Sequence, residues 1–248
     1  MRPRLLPVDE IRFAARTGFL SKPIWEEFFA TGSERWKRRQ WQLFLERDLF
    51  RKHPSRLPKD VLVLHRKNSD VKRVVGEAIS MPPFAPQIEH DEHIAKIVSS
   101  LMKSGHVSQS RFEAEMKRED WRPTQNQSEQ DKAKYADAVL FLNGLNGNFQ
   151  IALEVELSKK SPKRYRQILS SYAQKKELSY VLYLARSQPI FESLKTAMRE
   201  TYYPDSERPI GFCLLDEWLK DPARAPIHFS DRVTCIERMK NEPRRKSS

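Results

Sequence analysis

Two apolar segments joined by a turn of asparagine and glycine constrain the fold of this chain more than any other feature. The first segment is Ala136–Leu142, the turn is Asn143–Gly147, and the second segment is Asn148–Leu157. Asparagine and glycine tolerate the positive φ angles that tight hairpin turns require, so the pattern predicts a β-hairpin. Both segments are apolar along nearly their whole length, which is typical of strands covered on both faces.

Three acidic residues interrupt these apolar strands. Folding the hairpin about Leu145 places Asp137 opposite Ala152–Glu154, and Glu154 and Glu156 alternate with apolar residues, so they point to the same face. Burying three carboxylates together is costly unless a cation neutralises them, and such oxygen ligands suit Mg²⁺ or Mn²⁺. The sequence therefore predicts a metal site formed by these three acids. The alternative is an edge hairpin whose glutamates face water.

Basic residues follow the glutamates, in and before a predicted helix Ser161–Lys176. Lys159 and Lys160 are candidate catalytic lysines that would pair with a phosphate or with the nucleophile. The candidate DNA contacts at the start of the helix are Lys163, Arg164 and Gln167. The nucleophile is expected to be water, with Tyr165 as a tyrosine alternative. A helix that only packs on the sheet would do so through Tyr165, Ile168, Leu169 and Tyr172.

A second group of acids stands at the start of a predicted helix, Ile88–Lys103. Asp91 and Glu92 are candidate additional metal ligands, and His90 is a candidate general base or phosphate contact. The alternative is an ordinary helix N-terminus, where the helix dipole favours acidic residues. A zinc site is not expected, since His90 and His93 have no third soft ligand nearby.

The N-terminal region has the outline of a winged helix-turn-helix, in which three helices precede a basic hairpin and the third helix enters the major groove. The predicted elements are helices Pro7–Thr17, Ile24–Ala30 and Ser33–Leu45, and strands Leu49–Lys52 and Val61–Arg66. Ser21 and Ser33 are predicted N-caps. Trp36, Leu43 and Phe44 have the spacing of the buried face of the third helix.

Basic residues concentrate on this third helix and on the hairpin. The candidate DNA contacts are Arg35, Lys37, Arg38, Arg39 and Gln40 on the helix, and Arg51, Lys52 and Arg56 on the hairpin. The net charge of +12 favours a polyanionic partner, because cationic side chains that meet phosphates release condensed counterions. The predicted partner is double-stranded DNA. The alternative is a solvated basic helix in a small helical cap.

The chain is predicted to have two domains. Residues 1–75 form the winged helix, 76–87 a proline-rich linker, 88–235 the second domain, and 236–248 a basic, disordered tail. The predicted order in the second domain is α-β-β-β-α-β-α-β, so the fold class is α/β (α+β) with a mixed sheet flanked by helices. No apolar run is long enough to span a bilayer and no signal peptide is recognised, so a cytoplasmic protein without membrane insertion is expected. The absence of a P-loop and of G-x-G-x-x-G predicts no small-molecule cofactor.

The arrangement of Asp137, then Glu154-x-Glu156 on the next strand, then a basic helix resembles the PD-(D/E)xK nuclease core. In that superfamily an aspartate and a glutamate bind the metal, and a lysine two residues after the glutamate assists. Glu156 stands in the lysine position here, as an acid does in some restriction enzymes of the superfamily. Lys159 or Lys160 would then supply the lysine. A winged helix followed by such a restriction-endonuclease-like core resembles the MOBC-class plasmid relaxases and the replication-relaxation family.

This resemblance implies a metal-dependent endonuclease that nicks one DNA strand at a plasmid transfer origin to start conjugative mobilisation. A conjugation coupling protein is a further partner that it implies. Two alternatives stay open. One is a DNA-binding regulator or origin-recognition protein with a non-cleaving core, which Glu156 in the lysine position favours. The other is a site-specific endonuclease that cuts both strands, for which a two-fold dimer would be the simplest assembly.

Overall fold

The described residues form two compact units. The computed structural model describes residues 6–54, 60–119, 135–145, 147–173, 178–201 and 209–241. Unit 1 contains the chain up to Lys96 and a segment that begins at Ala114, and unit 2 contains Ile97–Glu113 and the chain beyond that segment. Helices and sheets are both present, which confirms the predicted mixed α and β class.

Unit 1 combines short helices with a three-stranded antiparallel sheet of order β1-β3-β2. Its elements up to residue 75 are α1 (Val8–Thr17), β1 (Leu20–Ser21), α2 (Lys22–Phe28), α3 (Glu34–Glu46), β2 (Phe50–Lys52), β3 (Val61–Leu64) and α4 (Ser69–Val75). The predicted caps are confirmed, because the Ser21 side chain accepts a hydrogen bond from the Ile24 amide and the Ser33 side chain accepts one from the Trp36 amide. Both caps satisfy amides that have no partner within their helix.

Aromatic side chains hold α2 and α3 together. The ring centroid of Trp25 lies 5.4 Å from that of Trp41 and 5.7 Å from that of Phe44. Leu43 and Phe44 are buried as predicted, but the prediction that Trp36 is buried is wrong, since its residue is 42% exposed. The buried residues of α3 are Trp41, Leu43 and Phe44, all in the second half of the helix. The first two turns of α3 contain no buried residue.

Sequence patterns do not predict β1 or α4. β1 has only two residues and exists because it pairs with β3, with Leu20 opposite Leu62. α4 is capped by Asn68, whose side chain accepts hydrogen bonds from two amides of the first turn. The predicted linker, residues 76–87, lies within unit 1 and contains a 3-10 turn at Ala85–Gln87. Its Ser80 amide donates to the Ala15 carbonyl at 2.8 Å.

The rest of the chain contributes a seven-stranded mixed sheet of order β10-β9-β8-β7-β6-β5-β4. The helices from α5 onward are α5 (Ile88–Lys103), α6 (Glu113–Glu119), α7 (Pro162–Ala173), α8 (Gln188–Thr201), α9 (Leu215–Lys220) and α10 (Ile236–Asn241). The strands are β4 (Gln109–Phe112), β5 (Ala138–Gly144), β6 (Gly147–Glu156), β7 (Tyr180–Ala185), β8 (Ile210–Leu214), β9 (Ile227–His228) and β10 (Val233–Thr234). β6 and β8 each pair with β7 in parallel, and the other recorded pairs are antiparallel.

The predicted hairpin is confirmed as β5 and β6. These strands pair from Ala138 opposite Leu153 to Gly144 opposite Gly147. β6 also pairs with β7, so it is an internal strand of the sheet. The alternative of an edge hairpin with its glutamates in water is therefore excluded.

The segment from residue 236 is not a disordered tail, at least as far as Asn241. Ile236–Asn241 forms α10, in which Ile236 and Met239 are buried. The Leu145 amide at the end of the hairpin donates to the Lys240 carbonyl at 2.9 Å. The prediction is wrong for these residues because a basic composition conceals two apolar side chains at helical spacing that pack onto the sheet. Residues 242–248 of the predicted tail lie outside the described residues. In the part of the chain that is described, no helix has the length and hydropathy of a membrane span.

Candidate carboxylate site and basic helix

The sheet brings Asp137, Glu154 and Glu156 together as predicted, and we call them the carboxylate cluster. Continuing the β5–β6 register by one residue beyond the pair of Ala138 and Leu153 places Asp137 opposite Glu154. The Val155 amide donates a hydrogen bond to Asp137 Oδ2 at 2.7 Å. Glu154 and Glu156 are only 6% and 4% exposed. The two glutamates are therefore buried and Asp137 is half-buried beside them, which raises the cost of their charges.

Helix α7 and the loop before it supply donors to the two glutamates. The Tyr172 hydroxyl donates to Glu154 Oε1, and the Lys160 ammonium pairs with Glu156 Oε2. The Tyr165 hydroxyl in turn accepts a hydrogen bond from the Lys160 amide at 3.0 Å, which anchors the backbone of that lysine. Each acid of the cluster thus has at least one donor within unit 2, and these hydrogen bonds offset part of the desolvation penalty.

Tyr183 on β7 is the neighbour of Glu154 in the parallel register and is 1% exposed. Its hydroxyl hydrogen-bonds to none of the described residues. Burial raises its pKa well above the ordinary range, and the charges of Glu154, Glu156 and Asp137 raise it further. Since buried hydroxyls nearly always hydrogen-bond to protein, water or ligand, Tyr183 marks a donor beside the cluster that is suited to an additional oxygen group.

The other two tyrosines of the site are also held in the neutral form. Burial is the largest cause of the raised pKa of Tyr172, followed by the charge of Glu154. The pKa of Tyr165 is raised mainly by burial, and the charge of Glu156 contributes. Tyr165 is 1% exposed. Its proposed role as a nucleophile stays a prediction, and the position observed for its hydroxyl is that of a support for Lys160.

The additional catalytic and metal candidates on α5 belong to unit 1. His90 Nδ1 lies 3.2 Å from Asp91 Oδ1. Glu92 Oε1 accepts a hydrogen bond from the Ser21 hydroxyl at 2.5 Å, so this carboxylate ties the start of α5 to the N-cap of α2. Lys159, the other candidate lysine, is exposed. The roles of these four residues in catalysis or metal binding stay predictions.

The residues that the structure describes contain no group of three His, Cys, Asp or Glu side chains arranged as the ligands of one metal ion. The oxygen atoms of the carboxylate cluster are instead directed in part to the protein donors described above. A cation at this position would have to share the carboxylates with Tyr172, the Val155 amide and the Lys160 ammonium.

The predicted DNA contacts that are described lie at the surface. The exposed members are Arg35, Arg38, Arg39, Arg51, Lys52, Lys163, Arg164 and Gln167, and the half-exposed members are Lys37 and Gln40. Lys37 pairs with Glu34 at 2.9 Å and Arg39 with Glu46 at 3.0 Å. Arg56 lies outside the described residues.

Helical spacing predicts a packing role for Tyr172, and sequence patterns predict no role for Tyr183. The helical spacing of Tyr172 from Tyr165 and Leu169 indicates the buried face of α7 but not the acid beneath it. Tyr183 stands in an apolar strand, and its place beside Glu154 depends on the register of two parallel strands separated by a helix. The signal that could have singled it out is a phenol hydroxyl in the middle of a strand whose neighbouring residues are apolar.

The chain matches no known protein family, no curated protein and no solved structure.

Proposed function

We propose that this chain is a DNA-binding protein with a divalent-metal-dependent endonuclease centre at the carboxylate cluster. The observation that carries the proposal is the gathering of two buried glutamates, Glu154 and Glu156, with the half-buried Asp137 at the start of the neighbouring strand. Apolar side chains of similar volume would pack there at lower free-energy cost, because buried charges rarely gain back their full desolvation penalty. A site that retains three acids in such a place is therefore better explained by chemistry than by stability.

The donor set fits Mg²⁺ or Mn²⁺ in chemical type, since hard divalent cations prefer carboxylate and hydroxyl or water oxygens. Asp137, Glu154 and Glu156 would hold the ion. The Tyr183 hydroxyl hydrogen-bonds to none of the described residues, which supports the presence of a further oxygen group beside the acids. When bound, such an ion supplies polarisation of a phosphodiester and a lowered pKa for an attacking water.

In this proposal Lys160 is the catalytic lysine. Its ammonium pairs with Glu156. The Lys160 side chain is 37% exposed and can move toward solvent, whereas the Glu156 side chain is only 6% exposed and cannot. A phosphate that approaches the cluster offers this ammonium a second anion, and a lysine binds phosphate as a flexible point charge. Lys160 would therefore exchange Glu156 for the phosphate when DNA binds, and Tyr165 would keep its backbone in place through the hydrogen bond at 3.0 Å.

DNA binding is supported by two basic surfaces, each within its own unit. The first three helices of unit 1, its three-stranded antiparallel sheet and the exposed arginines on the third helix, α3, support the winged helix of this proposal. In unit 2, Lys163, Arg164 and Gln167 lie exposed at the start of α7, directly after Lys160 in the chain. The resemblance to MOBC-class plasmid relaxases gives the finer form of the proposal. In that form the protein nicks one strand at a plasmid transfer origin, with a conjugation coupling protein as partner.

Cleavage of supercoiled plasmid tests this proposal. We expect the wild-type protein to convert supercoiled plasmid to open circles with Mg²⁺ or Mn²⁺, and only on a plasmid that carries the native locus. Glu154→Gln should abolish cleavage and leave DNA binding intact, because it removes a charge from the cluster and keeps the shape of the side chain. The matched control is Glu192→Gln, an exposed carboxylate on α8 that should leave cleavage unchanged. Linear product instead of open circles would favour the endonuclease that cuts both strands.

Metal binding has a readout of its own, since a ligand that binds only the folded state raises its thermal stability. We expect Mn²⁺ to raise the melting temperature of the wild type and of Glu192→Gln, and to have no such effect on Glu154→Gln. Cleavage at the normal rate in Glu154→Gln would rule out this assignment of the centre.

A second candidate function is a DNA-binding regulator or origin-recognition protein whose nuclease-like core does not cleave. The observation that favours it is that Glu156 already has a cation, Lys160, and that Asp137 and Glu154 accept hydrogen bonds from within unit 2. This candidate predicts specific binding, no metal-dependent cleavage and no stabilisation by Mn²⁺, so the same two experiments separate it from the first.

A further inference from the structure

Trp36 is an unusual residue to find exposed. It is the only exposed aromatic residue among the described residues of α3, at 42%, whereas Trp41 and Phe44 on the same helix are buried. Its ring lies over the turn that precedes the helix, where a Cβ added at Gly32 would be 3.5 Å from the ring carbons. The ring is thus supported by backbone on one side and accessible to a partner on the other. Exposed tryptophan is a common contact residue of binding surfaces, since it offers a large rigid area.

Arginines lie to one side of this ring. Successive residues of an α-helix are rotated by about 100°, so Arg39 stands about 60° from Trp36 around α3, Arg35 about 100° and Arg38 about 160° in the same direction. We call these four residues the α3 face. Arg35 and Arg38 form no ion pair with any residue that the structure describes, and Arg39 pairs with Glu46 through side chains that are both about half exposed. Such exposed pairs contribute little, so all three guanidinium groups are available to anions.

We propose that the α3 face binds single-stranded DNA, with an unpaired base stacked on Trp36 and the neighbouring phosphates on Arg39 and Arg35. The combination of an aromatic platform with cations beside it is complementary to a strand whose bases are unpaired, because every base then presents an aromatic face beside a phosphate. A duplex hides those faces and would use the arginines alone. The inference deepens the proposed function, on which its link to cleavage rests: the substrate is a strand that is locally unpaired. Binding itself does not depend on the carboxylate cluster.

Fluorescence anisotropy with two labelled strands of equal length and charge tests the proposal. One strand is oligothymidine and the other is an abasic chain, and a chelator removes divalent metal so that no cleavage occurs. A stacked base contributes about 1–3 kcal/mol, so we expect wild type to bind oligothymidine roughly 5-fold to 150-fold more tightly than the abasic strand. Trp36→Ala should lose this difference, and Trp36→Phe should retain most of it because phenylalanine also stacks.

Two control variants separate stacking from other causes. Phe84→Ala removes another exposed aromatic side chain of unit 1, at 72% exposure, and should leave the discrimination unchanged. Arg35→Gln should weaken binding of both strands by the same factor, since it removes a phosphate contact. The melting temperature of Trp36→Ala should fall only slightly, because the covered part of the ring packs on the exposed turn at Gly32 and on none of the buried core residues of α3.

Three results would overturn the proposal: equal affinity of wild type for the two strands, full discrimination by Trp36→Ala, or an equal loss of duplex and single-strand affinity in Trp36→Ala. Tighter binding of oligouridine than of oligothymidine would overturn the assignment to DNA. Failure of the cleavage proposal gives a different result. Wild type and Glu154→Gln would then have the same cleavage activity, while wild type would still bind oligothymidine more tightly than the abasic strand and Trp36→Ala would not.

Discussion

The carboxylate cluster of unit 2 and the α3 face of unit 1 differ in how far their charged groups are buried and in how they are hydrogen-bonded. The cluster has Glu154 and Glu156 at 6% and 4% exposure, and its acids receive hydrogen bonds from a tyrosine, a lysine and a backbone amide. The α3 face holds its arginines in solvent, with one exposed ion pair to Glu46. Buried charge must be matched by donors that the fold places, whereas exposed charge requires no such matching. The first arrangement constrains the fold, and the second leaves the charge available to a partner.

The two arrangements also differ in how much a single substitution should alter stability. Removing the partner of a buried carboxylate leaves a desolvated charge, which costs about 1–3 kcal/mol or more. Removing an exposed cation loses an interaction worth about 0–1 kcal/mol, which salt screens further.

Tyr172→Phe should lower the free energy of unfolding by about 1–3 kcal/mol, because it removes the hydroxyl that donates to the buried Glu154. Urea denaturation followed by circular dichroism measures the change. Tyr180→Phe is the matched control on β7, since its ring packs against Phe149 and Phe229 and phenylalanine retains that packing. Equal stability of the two variants would show that the hydrogen bond to Glu154 contributes nothing and would remove the contrast between the regions.

Stability should fall as the pH rises above about 10, the ordinary pKa of tyrosine in an unfolded chain. Burial, and after it the charge of Glu154, raises the pKa of both Tyr172 and Tyr183 well above that value in the folded protein. The unfolded state therefore loses these protons first and is favoured by further increase in pH. The stability due to the two neutral phenols is full below the unfolded pKa and declines above it.

Urea midpoints measured between about pH 8 and pH 11 test this dependence, and Tyr183→Phe is the informative variant. It should show a shallower decline than wild type. At neutral pH it should leave stability unchanged or slightly higher, because the hydroxyl it removes has no partner among the described residues. A decline as steep as that of wild type would mean that Tyr183 ionises normally in the folded state.

Arg35→Gln and Arg38→Gln should change stability by less than about 0.5 kcal/mol each, since both side chains are exposed. Their effect should appear in binding, where each substitution reduces the slope of log affinity against log salt concentration by about one. Anisotropy titrations at several salt concentrations measure this slope. A large loss of stability without a change in slope would place these arginines in the structure of unit 1 instead of on its binding surface.

Local patterns were sufficient for the features that depend on neighbouring residues. Glycine and asparagine around Leu145 predicted the hairpin, and its register brought Asp137 opposite Glu154 as expected. Ser21 and Ser33 predicted the starts of α2 and α3, because a cap bonds to an amide only three residues away. The same patterns misplaced Trp36 on the buried face and treated the residues of α10 as a tail.

The sequence by itself determined that the chain forms mixed helices and sheets and that three acids share one face of a hairpin. Periodicity, capping and turn chemistry act within a few residues, so they are readable without the fold. Only the tertiary structure decided that β6 is an internal strand, that Tyr172 and Tyr183 stand beside Glu154, and that α3 projects Trp36 into solvent. These outcomes depend on which distant segments pack together. Burial and partnership are properties of that packing, and they decide whether an acid or an aromatic ring becomes a site.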